Sequence, residues 1–182
     1  MSFRRLIIPV LCICCGCASA PKINYYSLGM DSSGEVNTEV NLKVERLRTT
    51  EALGRSQIMI RASATRIEYY AVDQWAGSVG ELIQQKLAAE FGPPVEGRRT
   101  LVVSGLVAAC EQVDGPGGSV ARVKLEIAVR DAAEARYQPP LLEKTYEASR
   151  GVAAPSADTV AGALSICVQQ IAAEIAADVS SL

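Results

Sequence analysis

Cys12, Cys14, Cys15 and Cys17 crowd one short stretch, and Cys110 and Cys167 complete the six cysteines of the chain. Thiols at that density could hold a metal, cross-link, or carry a covalent modification. A closed zinc site draws Cys and His ligands from spaced pairs. These four are too close for two ordinary C-x-x-C pairs, and the chain has no histidine. The same absence removes every Ser-His-Asp and Cys-His arrangement. Neither G-x-S-x-G nor G-x-x-x-x-G-K-S/T occurs. Gly115, Gly117 and Gly118 sit in a Pro-containing turn with no helix following, so they lack the helix N-terminus that a phosphate cradle uses. Paired carboxylates fall at alternating strand positions, the pattern of a solvated face. With no cofactor or metal expected either, the sequence points away from an enzyme. A hydrolase working through carboxylates is the weakest reading.

The local context of the first four cysteines suggests a different fate. Arg4 and Arg5 precede an apolar run from Leu6 to Cys15, and small residues follow. A basic head, a short apolar stretch and small residues make a secretory signal. The run is shorter than the roughly 20 apolar residues a bilayer crossing needs. "CCGC" resembles the lipobox of bacterial lipoproteins, with Gly16 before Cys17 and a departure at Cys14, where leucine is usual. That assigns residues 1–16 to a signal peptide, Cys17 to diacylglyceryl attachment, residues 17–22 to a lipidated tether and residues 23–182 to one folded domain. An ordinary secreted chain cut after Ala18 or Ala20 is the alternative. Either way the compartment is oxidising. Cys110 and Cys167 are then expected to pair as a disulfide, or else to stay as two separately buried thiols.

Loss of residues 1–16 removes Arg4 and Arg5, so the net charge of −2 becomes −4. A mildly acidic chain without a basic block gives no support for nucleic-acid binding. Hydrophobic content of 49% is that of a globular protein with a real core. Aromatics are only 5%, and Tyr25, Tyr26, Tyr69, Tyr70 and Trp75 hold a large share of them.

The elements that must position these residues follow from periodicity. "INYYSLGM" reads as a first strand, on which Tyr25 and Tyr26 face opposite ways. Val40, Leu42 and Val44 alternate with polar residues as in a half-buried strand. "SQIMIRAS" and "RIEYY" form two short strands around Ala64 and Thr65. "SVGELIQQKLAAEF" is helical, ended by Gly92-Pro93-Pro94. "TLVVSGLVAAC" is apolar on both parities, as for a central strand covered on both faces. Val123, Leu125, Ile127 and Val129 alternate with charged residues, and "LLEKTYEAS" adds a further strand. A final helix starts at Ser156 and carries one apolar stripe through Val160, Leu164, Cys167, Ile171 and Ile175. The expected fold is α+β, a single domain with an antiparallel or mixed β-sheet and two main helices packed on it.

In this order the motifs resemble the ABC-type transport auxiliary lipoproteins. The resemblance rests on Cys17, "YYSL" at 25–28, "LGRSQIMIR" at 53–61 and "QWAGSVGELIQQKL" at 74–87, with Gly77 where an acidic residue is common. It implies an auxiliary role beside an MCE-domain protein with an ABC permease and ATPase, in lipid transport between membranes. Ala18 after the lipidated cysteine is consistent with the outer membrane, periplasmic face. Tyr25, Tyr26, Arg55, Arg61 and Trp75 are the expected interface residues, although Trp75 at a helix entry also suits a core anchor. Arginines such as Arg55 and Arg61 more often pair at the surface than recognise a ligand. A stand-alone periplasmic lipid or small-ligand binding lipoprotein is the alternative. Surrounding an elongated conduit would call for a homo-oligomer, cyclic in symmetry.

Overall fold

A computed structural model describes residues 20–34, 36, 38–134 and 137–182. Cys12, Cys14, Cys15 and Cys17 lie outside the described residues. Eight strands form one mixed sheet: β1 (Asn24–Tyr26), β2 (Asn41–Val44), β3 (Arg48–Thr49), β4 (Gln57–Arg61), β5 (Ile67–Trp75), β6 (Thr100–Gly115), β7 (Gly118–Asp131) and β8 (Leu142–Val152). Two helices, α1 (Val79–Phe91) and α2 (Ala157–Val179), pack on it. This is the expected α+β domain.

The strand order is β1-β5-β4-β6-β7-β8, with β2 and β3 also paired to β6. β6 is long enough to serve two neighbours on one edge. Its first half pairs in parallel with β2 and β3, and its second half pairs in parallel with β4. The pairs β4–β5, β6–β7 and β7–β8 are antiparallel, and β1 lies parallel to the end of β5. β5 runs on to Trp75, beyond the "RIEYY" stretch, and β3 is too short to leave a periodic signal.

Side-chain alternation defines one helix-covered face. On β7, Ala121, Val123, Leu125, Ile127 and Val129 are buried there, while Arg122, Lys124 and Glu126 point to the other side. The α2 stripe of Val160, Leu164, Cys167, Ile171 and Ile175 packs onto β7 and β8. α2 is long and apolar enough to cross a membrane by composition, yet most of that apolar stretch is buried inside the domain. The expectation that β6 is covered on both faces needs correction. Both helices lie on one face and contact each other, and Val102, Ser104 and Leu106 on the other are only half-buried. The double-parity apolar pattern comes in part from a bulge between Val107 and Ala109, which shifts the alternation.

The helices begin as their sequences dictate. The Ser78 hydroxyl accepts from the Glu81 amide at 3.3 Å, and Ser156 and Thr159 form a reciprocal capping box on α2. Two glycines permit close backbone approach. A Cβ on Gly80 would lie 2.5 Å from the Leu47 carbonyl oxygen, and one on Gly105 would lie 2.0 Å from that of Glu126.

Candidate interaction surfaces

The segment following the tether is laced onto the domain residue by residue. β1 pairs Tyr26 with Trp75 and Tyr25 with Gln74, and the Asn24 amide donates to Asp73 at 2.8 Å. Leu28 inserts into the core. The Gly29 amide donates to Ser165 Oγ on α2 at 2.9 Å. Next comes a buried ion pair on α1. Lys86 Nζ donates to Glu90 Oε1 at 2.5 Å and to the Asp31 carbonyl at 2.6 Å. Glu90 Oε2 accepts from the Ser33 amide at 2.9 Å and its hydroxyl at 2.6 Å. Burial pushes the Glu90 carboxyl up, but the hydrogen bonds from Lys86 and Ser33 outweigh it and hold it below its ordinary value. Both charges are thus paired and hydrogen-bonded, the condition under which buried ions are tolerated. Residues 24–33 are thereby fixed to β5, α1 and α2.

Lys86 and Glu90 went unnoticed in the sequence reading. They occupy the apolar spacing Val79, Leu82, Ile83, Lys86, Leu87, Glu90, so the helical period alone places both charges on the buried stripe at i and i+4.

A second charged group lies on the sheet face opposite the helices. Glu111 is fully buried although no helix covers it. Arg61 Nε donates to its two oxygens at 3.0 and 3.1 Å, and Arg122 binds it from β7. Arg122 and Lys124 then approach Glu147 on β8 at 3.9 and 3.6 Å. The arginine stems cover the carboxylate, and the row of alternating charge ties β4, β6, β7 and β8 together. Arg61 is thus half-buried and committed to Glu111. Arg55 is exposed and lies 4.8 Å from the Tyr69 ring centroid, a cation–π contact.

Among the expected interface residues, the structure separates inward from outward. Trp75 is 3% exposed and packs with Leu28, Val79, Leu82 and Cys110, the core-anchor arrangement. Tyr26 is half-buried on the same side, and burial raises its hydroxyl pKa, with Asp73 adding to the effect. Tyr25 stands 66% exposed on the opposite face. Of the five residues, only Tyr25 and Arg55 are freely presented to solvent.

The expected Cys110–Cys167 disulfide is not formed. Both thiols are free and buried. Cys167 Sγ turns to the Ala121 carbonyl on β7 at 3.8 Å, whereas Cys110 on β6 packs with Leu28, Trp75, Val79 and Leu82 beneath α1. Burial pushes the Cys110 thiol up to about 12, helped by the neighbouring Cys167 and Glu111, and the Cys167 thiol up to about 11. Neither is a thiolate at neutral pH, so neither is poised to attack.

No group of three or more His, Cys, Asp or Glu able to hold a metal occurs among the described residues. The apolar space beneath Trp75 is a crevice between packed side chains with no room for a water-sized molecule, unlike an ordinary ligand pocket of several hundred Å³. An open groove of about 610 Å³ lies on the uncovered sheet face, bordered by Arg46, Arg48, Glu126, Arg130 and Glu143. Its mixed charges suit a surface that meets another surface better than an acyl chain.

A family model described as "ABC-type transport auxiliary lipoprotein component" matches residues 26–176. Two solved structures share the fold. The Xanthomonas campestris protein XCC0632, of family DUF330, is 12% identical over 88% of this chain and 95% of its own, with a TM-score of 0.69. A second, described only as an uncharacterized protein, is 15% identical over 88% of this chain and all of its own, with a TM-score of 0.65. No match is found among curated proteins.

Proposed function

The chain belongs to the family of ABC-type transport auxiliary lipoprotein components, and from that premise we propose that it is the non-enzymatic, outer-membrane-anchored accessory of an MCE-type lipid-transport system. The observation that carries this reading is the family match over nearly the whole folded domain, joined to the lipobox-like "CCGC" at residues 14–17. Residues 1–16 leave as the signal, Cys17 takes the acyl chains and enters the outer membrane, residues 17–22 form the tether, and the domain faces the periplasm. An MCE-domain protein, working with an ABC permease and ATPase, is the partner.

The charged sheet face and the small apolar crevice favour a docking role over solitary lipid carriage. A single subunit covers little of an elongated conduit, so the working form is a homo-oligomer, and the long free edge of β8 offers a surface for it. Sedimentation at micromolar concentration is expected to show a defined oligomer; monomers alone would remove that element. The partner assignment is tested first by the neighbouring reading frames, which should encode an MCE-domain protein, a permease and an ATPase. Their absence would count against it.

A further inference from the structure

We infer that the β1 flank, through Ile23 and Tyr25, rests on the lipid surface into which the chain is anchored. The inference builds on the reading of Cys17 as the lipidated residue. Five residues separate Cys17 from Ile23. Even fully extended, at about 3.5 Å per residue, they hold Ile23 within about 20 Å of the acylated cysteine. A domain of this size has a radius of gyration of about 15 Å and so is about 40 Å across, twice the reach of the tether. The tether is therefore too short for the domain to turn freely, and β1 is the part nearest the membrane.

What β1 presents there is suited to head groups. Alternation puts Tyr26 inward beside Trp75, and Ile23 and Tyr25 together on the outer face. Ile23 is 42% and Tyr25 66% exposed, and Lys22 beside them is exposed as well. An aliphatic side chain, an amphipathic ring with a polar tip and a cation make the combination that settles at a membrane–water interface. The flank is also held firmly. The Asn24–Asp73 bond, the Gly29–Ser165 bond and the Lys86–Glu90 pair fix the following segment to the domain, so seating β1 on lipid orients the whole molecule.

The test uses the full lipidated chain in vesicles of phosphatidylethanolamine and phosphatidylglycerol, with and without brominated phosphatidylcholine. Trp75 is the single tryptophan and is buried, so its emission reports folding in every sample. Tyr25→Trp adds a probe at the flank. Ile67→Trp adds one at the far end of β5, where Ile67 is also exposed. The emission added by Tyr25→Trp should lose most of its intensity to brominated lipid and resist iodide, while that added by Ile67→Trp should do the reverse. Emission from Tyr25→Trp open to iodide and untouched by brominated lipid would overturn the inference. So would shielding from both, which would mean that a protein covers the flank, and so would equal lipid quenching at both sites. Protein that fails to float with the vesicles would instead refute the anchor reading itself.

Discussion

Glu90 and Lys86 show how single residues set the behaviour of the tether-proximal segment. Removing one partner leaves a buried charge uncompensated. Glu90→Met should cost about 3–5 kcal/mol in urea denaturation, and the double replacement Lys86→Met with Glu90→Met should cost less than Glu90→Met alone. The pair also sets an acid limit. The Glu90 carboxyl is held low by Lys86 and Ser33 against burial, and that of Asp178 is held low by Lys144 and Tyr146. Both lie below the values in the unfolded chain, near ~4. The unfolded chain therefore binds protons first as pH falls. The stability these groups contribute is complete above that range and drains away as pH drops through it toward the folded values. Thermal denaturation from pH 7 to 3 should show a plateau and then a fall, with the acid fall reduced in the double variant. At the cysteines, a thiol reagent should leave Cys110 and Cys167 of the lipidated protein unmodified when native and label both on unfolding. Labelling of neither after unfolding without reductant would restore the disulfide.

β6 and α2 carry the fold, and both were readable in different degrees. The α2 stripe and the Ser156 cap stand out because a long helix repeats its period several times. Ile175→Ala, at a fully buried stripe position, should cost about 2–5 kcal/mol. β6 announced a buried strand but not its bulge or its uncovered face, since alternation cannot distinguish a strand covered twice from one whose register shifts midway. Gly105 belongs to the same limit. Its need for glycine comes from the Glu126 carbonyl of the neighbouring strand, a contact no local pattern encodes. Gly105→Ala should cost at least about 2 kcal/mol, measured by urea denaturation, because backbone has to move. Among the interface residues, alternation told that Tyr25 and Tyr26 part company. Trp75 was legible as either anchor or contact, and its core position comes from packing with Leu28, Val79, Leu82 and Cys110. Cys110 and Cys167 share burial beneath the helices, but burial alone does not fix the bonding geometry of a disulfide, and both are free thiols here.

At the scale of the whole molecule, a mixed sheet with both helices on one face leaves the other face patterned with paired charges, and the tether leaves from one edge. That layout suits a part that is held at a membrane and meets a partner. The anchor is checked by Cys17→Ser, which should abolish palmitate labelling and membrane fractionation, because the mildly acidic chain has no basic block in its sequence to replace the acyl chains. Cys12→Ser, Cys14→Ser and Cys15→Ser should still be lipidated, and Cys14→Leu should be processed more efficiently. The central claim is the coupling to a transport system. Native lipidated protein, tagged at its C-terminus and purified from gently solubilised envelopes, should bring down an MCE-domain protein, and a Cys17→Ser chain should recover less. Recovery of no MCE component from cells that express one would contradict the account.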